Sequence, residues 1–191
     1  MPARGLGERL HFLREFLRDR RAIGALTPTS ASMSRRLADA AGAGRRRAVA
    51  ELGAGTGPVT AALLERLPPD GRLWAFEIKP EFARVLRARF ADPRLTIVEA
   101  SAAEAPRVAR EAGVAGFDAV VSALPFAALG PALSREILAG AAEVMAPGAP
   151  FVAIQYRPDY LPPLLRERFG PVERQFHLWN VPPAFVMRAH A

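Results

Sequence analysis

A short loop rich in glycine is the first part of the sequence whose residue types could do chemistry. It reads Glu51-Leu-Gly53-Ala-Gly55-Thr-Gly57 and lies between an apolar run and a stretch of helical character. Glycine lets the backbone turn sharply and approach a ligand closely, with the N-terminus of the next helix behind it. A dinucleotide fingerprint would need glycine at position 58, where Pro58 stands. The loop therefore suits a cofactor without a pyrophosphate, and the Glu51 carboxylate favours an ammonium group over a phosphate. The alternative is a plain turn between a strand and a helix.

An acidic residue at the end of the second apolar run strengthens this interpretation. Glu77 follows Gly55 by 22 residues, the interval at which nucleotide-binding α/β domains place an acid on the ribose hydroxyls. Ile78 comes next and is placed to lie against an adenine face. The alternative for Glu77 is an ordinary exposed carboxylate at a strand end. The two matches together favour recognition of an adenosine.

The elements that must position these residues follow from the alternation of apolar runs and helical stretches. Five runs are predicted to be strands, at 48–52, 72–78, 94–100, 117–124 and 150–156. Helices are predicted between them, near 58–67, 80–90, 102–112 and 131–145. Such alternation is typical of βαβ units and a parallel sheet covered on both faces. After Tyr156 the alternation is predicted to stop, and 171–178 and 184–190 are predicted to form an antiparallel pair at one edge.

The composition excludes several classes of protein. Half of the 191 residues are hydrophobic, which is enough for a folded core. The absence of cysteine excludes a disulfide scaffold, a cysteine nucleophile and a thiolate metal site. No apolar run approaches the roughly 18–20 residues that span a bilayer, and arginines interrupt the N-terminal stretch where a signal peptide would lie. No acidic or histidine cluster has metal-ligand spacing and no Ser/His/Asp arrangement is found, so we predict no metal.

The positive charge is confined to the N-terminal part of the chain. Residues 1–48 carry eleven arginines against four acidic residues, which accounts for the entire net charge of +7. This asymmetry indicates an anionic partner, either a phospholipid surface or a nucleic acid. Residues 5–26 are predicted to be an amphipathic helix with a Leu/Phe face and arginine flanks, which suits a membrane interface. The alternative is a helix packed on its own domain.

Residues 47–126 resemble the class I S-adenosylmethionine-dependent methyltransferases, whose first motif is an acid followed by GxGxG. A closer resemblance is to the bacterial phospholipid N-methyltransferases, which methylate phosphatidylethanolamine stepwise to phosphatidylcholine. Four places carry it and span nearly the whole chain: IGALTPTSASMSRRLA (23–38), ELGAGTGPVT (51–60), VVSALPF (120–126) and QYRP…WNVPPAFVMR (155–188).

The resemblance implies an α/β, Rossmann-like fold with a mostly parallel seven-stranded sheet, an antiparallel edge strand and an N-terminal amphipathic helix. We expect one domain over 1–191. It would comprise a membrane-interface helix (1–26), a cofactor-covering segment (27–46) and a Rossmann-like core (47–191).

The resemblance also implies which residues bind S-adenosyl-L-methionine. The segment from Pro28 to Ser30 would close over the cofactor, Glu51 to Gly57 would hold its methionine part, and Glu77 would hold the ribose. Many enzymes of this fold have an acid after the third strand that contacts the adenine amine. This sequence has Ala100-Ser101-Ala102 there, so Ser101 is the expected acceptor and Glu99 a less well-placed substitute. The predicted set is Pro28, Thr29, Ser30, Glu51, Gly53, Gly55, Gly57, Glu77, Ile78, Ser101, Ala102 and Leu124.

Three residues are candidates for the catalytic step. Amino-methylating enzymes carry N-x-x-Y/F or N-L-P-Y where this chain has Ser122-Ala-Leu-Pro-Phe126. Ser122 in place of asparagine weakens the case for a planar nucleobase amine, and the loop could equally be structural. Tyr156 would steady an ammonium by cation–π contact or accept a proton, unless it is a packed aromatic. Asn180 is a plausible polar contact.

The preferred function is N-methylation of phosphatidylethanolamine and its methylated derivatives at a membrane surface. The enzyme would lie in the cytoplasm, on the inner face of the cell membrane, with an anionic phospholipid surface as its partner and no protein partner. One alternative is an RNA adenine N6-dimethyltransferase, whose arginines would contact phosphates. Another is a non-catalytic, membrane-tethered protein that binds S-adenosylmethionine.

Overall fold

Seven strands form a single sheet in the computed structural model, which describes residues 29–178 and 182–191. The sheet order is β3-β2-β1-β4-β5-β7-β6. The strands are β1 (Ala48–Leu52), β2 (Arg72–Phe76), β3 (Leu95–Val98), β4 (Ala119–Ser122), β5 (Pro150–Gln155), β6 (Glu173–His177) and β7 (Ala184–His190). The first five are mutually parallel. Because the chain runs outward from β1 in both directions, the sheet has a switch point between β1 and β4, where ligands bind in folds of this type.

Helices cover both faces of this sheet. They are α1 (Ala31–Ala40), α2 (Pro58–Arg66), α3 (Pro80–Arg89), α4 (Ala105–Glu111), α5 (Phe126–Leu129), α6 (Pro131–Val144) and α7 (Leu161–Phe169). A 3-10 turn at Ala102–Glu104 leads into α4. The four helices predicted between the first five strands are confirmed. Proline lies in the first turn of α2, α3, α4, α6 and α7, where a missing N–H costs no helical hydrogen bond.

The prediction that the alternation stops after Tyr156 is wrong, because α7 lies between β5 and β6. Its first turn contains Pro162 and Pro163, which in sequence resemble a helix breaker but are tolerated at a helix start. The helix α7 is amphipathic. Leu161, Leu164 and Leu165 are buried against the sheet, whereas residues 166–168 are exposed.

The last two strands form the antiparallel pair that the sequence predicts at one edge. β7 lies between β5 and β6 and runs antiparallel to both, so β6 is the edge strand. The residues of β6 are mostly exposed, whereas β7 is largely buried. The Rossmann-like fold class is therefore confirmed. The strand that runs antiparallel to the others is β7, which is the second strand from the edge of the sheet.

Two apolar cores lie on opposite sides of the sheet. One joins α1 and α2 to the face that carries Val49, Val121 and Ile154. The other joins α4, α6 and α7 to the face that carries Ala50, Val120 and Phe151. A strand buried on both faces must be apolar at almost every position, which explains the continuous apolar runs of β1, β4 and β5.

The predicted amphipathic helix at 5–26 lies outside the described residues. Within the part of the chain that the structure describes, no helix is long and apolar enough to cross a membrane.

Candidate active site

The glycine loop leaves the carboxyl end of β1 with three left-handed residues. The φ angles are +83° at Gly53, +58° at Gly55 and +89° at Gly57. A Cβ at Gly53 would lie 2.6 Å from Cδ2 of Leu124, whereas a Cβ at Gly55 would meet nothing within 4 Å. Glycine is therefore required at position 53 by packing. At position 55 it is required by the left-handed backbone conformation, and open space lies beside it. Both line a cleft of about 210 Å³ at the carboxyl ends of the strands.

Gly57 belongs to the packing of the fold and does not line this cleft. It precedes the first residue of α2, and a Cβ there would lie 2.6 Å from Cε2 of Phe90 and 2.8 Å from Cδ2 of Leu86. The structure thus places the third glycine of the motif against α3, away from the position predicted for it.

Glu77 lies at the centre of the site, immediately after β2. Its Oε2 accepts a hydrogen bond from the backbone N–H of Gly55 at 2.8 Å, and its Oε1 accepts one from Lys79 N–H at 2.9 Å. The carboxylate therefore holds the glycine loop to the end of β2. Burial raises the pKa of Glu77, and the two backbone hydrogen bonds oppose that rise. Each oxygen keeps a further lone pair for a hydroxyl donor in the cleft, as the predicted ribose contact requires.

Glu51 is enclosed behind the glycine loop. It is completely buried and does not line the cleft. Its Oε2 accepts a hydrogen bond from Thr60 Oγ1 at 2.7 Å, while Oε1 has no hydrogen-bond partner among the described residues. Burial raises the pKa of Glu51 to about 7, and the charge of Glu77 adds to the rise. The structure thus places this carboxyl outside the lining of the cleft, behind the loop predicted to hold the methionine part.

The side of the cleft predicted to hold an adenine is formed by Ile78, Ser101 and Ala102. Ser101 is buried and caps the turn before α4. Its Oγ accepts from Ala103 N–H at 3.3 Å, and its own N–H donates to Glu104 Oε1 at 3.1 Å. The hydroxyl oxygen keeps one lone pair and its hydrogen, so Ser101 can contact an adenine edge as predicted.

Glu99, the less well-placed substitute predicted for Ser101, lies outside the cleft lining. Its carboxylate is on the exposed surface, 2.9 Å from Nη1 of Arg87. Because Glu99 follows β3 by one residue and Ser101 by three, the chain turns between them and only Ser101 points to the site.

The loop after β4 forms the opposite wall. Leu124, predicted to contact the cofactor, lines the cleft and packs on Gly53. Ser122 does not line the cleft. It is completely buried, and its Oγ accepts a hydrogen bond from Leu124 N–H at 3.3 Å. The structure therefore places Ser122 in support of the loop rather than beside a reacting nitrogen.

Gln155, which the sequence interpretation missed, ties this loop to β5. Its Nε2 donates to the carbonyl oxygen of Leu124 at 2.9 Å, and the side chain is buried in the cleft wall. The sequence feature that could have identified Gln155 is that it is the single polar residue of β5, at the end of an otherwise apolar strand. Tyr156 follows it, lines the cleft as predicted and is 40% exposed at the mouth.

The segment before α1 approaches the same cleft. Thr29 lines it, and Ser30 caps α1 by accepting a hydrogen bond from Met33 N–H at 3.2 Å. Pro28 and Asn180, also predicted as site residues, lie outside the described residues.

The cleft lining limits the chemistry that the site can do. Among the described lining residues the ionisable ones are Glu77, Lys79 and Tyr156, and the remainder are mostly apolar. In the described ranges, no three side chains of the metal-binding types are close enough to hold an ion. An apolar cleft with one hydroxyl-binding carboxylate suits an adenosine cofactor and group transfer by orientation.

Comparison with known proteins agrees with this geometry. Residues 49–148 match the family described as methyltransferase domain. The ornithine lipid N-methyltransferase of Singulisphaera acidiphila is 34% identical over 174 residues, which are 91% of this chain and 91% of that protein.

Two solved structures share the fold at 22% sequence identity. One is the 1,6-didemethyltoxoflavin-N1-methyltransferase of Burkholderia thailandensis with S-adenosylhomocysteine bound. Its TM-score is 0.66, with 100% of this chain and 92% of that chain covered. The other is the 16S rRNA N2 G1207 methyltransferase of T. thermophilus in complex with AdoMet and guanosine, at a TM-score of 0.64. That match covers 87% of this chain and 44% of the other.

The sequence similarity to the lipid enzyme extends over nearly the whole of both chains. The likeness to the two solved structures, at 22% identity, shows only a shared fold. The resemblance to bacterial lipid N-methyltransferases that the sequence motifs indicate is thereby confirmed. This chain is a class I S-adenosylmethionine-dependent methyltransferase and belongs to the bacterial lipid N-methyltransferase family.

Proposed function

We propose that the protein transfers a methyl group from S-adenosyl-L-methionine to the amine of a membrane-lipid headgroup. The observation that carries this proposal is the 34% identity over 91% of both chains to a lipid N-methyltransferase. Such similarity extends well beyond the cofactor-binding segment that all enzymes of the fold share. The apolar cleft with an exposed aromatic at its mouth supports it.

The cleft fits the cofactor. Gly55 offers open space beside a backbone that no side chain blocks, Glu77 presents two carboxylate oxygens for the ribose, and Ser101 lies at the adenine side. When bound, S-adenosylmethionine supplies an activated methyl group to a neutral amine.

The chain's own residues contribute orientation and desolvation. The lining residues include no histidine or aspartate in the described part of the chain, and Glu77 is already held by two N–H groups. An apolar cleft disfavours the ammonium form of a bound amine, because burial disfavours the charged form. Tyr156 is placed to stabilise the cationic product by cation–π contact. Gln155 holds the Leu124 wall in place while the amine is oriented.

Two headgroups carry a suitable primary amine. The sequence motifs favour phosphatidylethanolamine and its methylated derivatives, and the relative from S. acidiphila acts, by its name, on ornithine lipid. Both are bilayer lipids, so the enzyme must work at a membrane surface. The arginine-rich segment 1–48 supports a peripheral position on the inner, anionic face of the cell membrane.

The experiment presents both headgroups in vesicles. Purified protein and methyl-labelled S-adenosylmethionine are incubated with phosphatidylcholine vesicles that contain phosphatidylethanolamine, ornithine lipid or neither, and with an RNA transcript. We expect label in at least one amine lipid and none in its N-acetylated counterpart, which lacks the nucleophilic amine. Label only in RNA, or none anywhere while the cofactor binds, would overturn the proposal.

A further inference from the structure

Most of the strongly exposed large apolar side chains of the described residues lie at one end of the sheet. Four large apolar residues in the described ranges are strongly exposed: Leu178 (60%), Phe176 (55%), Val85 (44%) and Tyr156 (40%). Val85 stands apart, on α3. The other three belong to the ends of β5 and β6 or follow them directly. We call Tyr156, Phe176 and Leu178 the apolar lip.

The strand register brings the lip residues to one end of the sheet. Gln155 pairs with Phe185 across β5 and β7, and Phe185 pairs with Phe176 across β7 and β6. The rings of Phe176 and Phe185 lie 4.9 Å apart. Since β6 runs in the same direction as β5, Leu178 and Tyr156 both follow strands that end at this edge. Neighbouring strands are about 4.8 Å apart, so the lip extends about two strand spacings from the cleft mouth.

The lip is continuous with the cleft. Tyr156 belongs to both, since it lines the cleft and is exposed at its rim. A substrate amine that enters from this side passes Tyr156, and the other two lip residues lie at the same end of the sheet.

Basic residues border the lip. Arg157 follows Tyr156 and is exposed, and Arg174 lies on the same face of β6 as Phe176, with Nη1 3.4 Å from the carbonyl oxygen of Pro158. Asp159 and Glu173 are exposed acids nearby in sequence, and Glu173 lies 3.9 Å from Nη1 of Arg188. Exposed aromatic and aliphatic side chains beside arginines are the combination that binds the boundary between headgroups and acyl chains.

We propose that the apolar lip inserts into the lipid interface and holds the cleft mouth against the bilayer, so that a headgroup amine enters past Tyr156. This inference rests on the proposed function, and it assigns the membrane-contacting surface of the folded core, separate from segment 5–26. The occupant is a lipid surface, because the lip adjoins the entrance that a lipid substrate must use and carries a basic border.

The absence of cysteine from the chain allows a direct test. A Leu178→Cys variant is labelled with an environment-sensitive fluorophore and mixed, without cofactor, with anionic vesicles. Val85→Cys is the matched control, since it is an exposed apolar position on α3. We expect a blue shift and quenching by acyl-chain quenchers at position 178, and neither at position 85.

Three outcomes decide the matter. Equal responses at the two positions, or a shift at position 178 that depends on protein concentration without vesicles, would overturn the inference; the second would mark a contact between copies of the chain. A fluorescence shift at position 178 in a protein that methylates no lipid would support membrane insertion of the apolar lip and contradict the proposed function.

A second variant measures the functional effect. Phe176→Gln together with Leu178→Gln should raise KM for vesicle-embedded lipid by about tenfold or more, because two apolar side chains lose their burial. Turnover of a monomeric short-chain lipid with the same headgroup should stay within about twofold by the same reasoning, since the cleft is unchanged. Leu178→Gln alone keeps the Phe176–Phe185 ring pair and guards against misfolding. An unchanged KM on vesicles in both variants would contradict the inference.

Discussion

The buried carboxyl of Glu51 predicts how the free energy of unfolding depends on pH. In the unfolded chain a glutamate titrates near 4.5, and in the folded protein burial raises the pKa of Glu51 to about 7. The folded state therefore holds a proton that the unfolded state has lost between these two values. Stability from this group is fully present below pH 4.5 and is lost as the pH rises through 7.

The magnitude follows from the two pKa values. Each pH unit between them is worth about 1.4 kcal/mol, so the full effect is about 3 kcal/mol, of which about 2–3 kcal/mol falls between pH 5 and pH 8. Burial is the main cause, and Oε1 of Glu51 has no donor among the described residues that would replace water on the ionised oxygen.

The assay compares wild type with Glu51→Gln. The glutamine can still accept the hydrogen bond of Thr60 through its carbonyl oxygen, but it carries no charge. Denaturant unfolding of both proteins at pH 5 and pH 8 gives the difference in unfolding free energy. His177, with a pKa lowered chiefly by burial, titrates in both proteins, so its effect cancels in the difference. Glu77 is coupled to Glu51 by charge, so the difference includes that coupling.

We expect the stability of Glu51→Gln relative to wild type to rise by about 2–3 kcal/mol from pH 5 to pH 8. A difference that does not change with pH would refute the reasoning, because it would mean that Glu51 is ionised in the folded state at a cost no larger than in water.

Three further predictions concern the cleft and the glycine loop beside it. Glu77→Gln should weaken S-adenosylhomocysteine binding by about tenfold or more in calorimetry, since one charge-assisted contact is worth about 1.5–3 kcal/mol; an unchanged affinity would remove Glu77 from the site. Gly57→Ala should lower the melting temperature strongly because its Cβ meets an aromatic ring. Gly55→Ala should cost only about 1–2 kcal/mol of backbone strain yet weaken cofactor binding, and equal melting temperatures would contradict this distinction. Gln155→Met should lower kcat/KM by about tenfold because the Leu124 carbonyl loses its donor; an unchanged kcat/KM in this variant would show that the hydrogen bond is not required.

Periodicity and spacing predict most of the fold because the sheet is buried on both faces. Strands such as β4, which is buried at all four positions and apolar at three of them, are visible in the sequence. The helix α7 was missed because Pro162 and Pro163 resemble a breaker, although the first turn of a helix tolerates them.

Sequence spacing predicted many of the residues that line the cleft, but not the contacts that each predicted residue makes. The interval from Gly55 to Glu77 correctly brings the two together, and the hydrogen bond between them is local to adjacent strand ends. The role of Gly57 depends on Phe90, which lies 33 positions further along the chain, and the enclosure of Glu51 depends on the position of α2. Sequence spacing does not report which way a side chain faces across such distances.

The position of the transferred methyl group tests lipid N-methylation most directly. Protein, trideuteromethyl-labelled S-adenosylmethionine and vesicles with phosphatidylethanolamine and ornithine lipid are incubated together, and the lipids are fragmented in a mass spectrometer. We predict that the label resides on the headgroup nitrogen of one of these lipids and is reduced when Glu77→Gln replaces wild type. Label on an oxygen, or on RNA added to the same mixture and on no lipid, would contradict it.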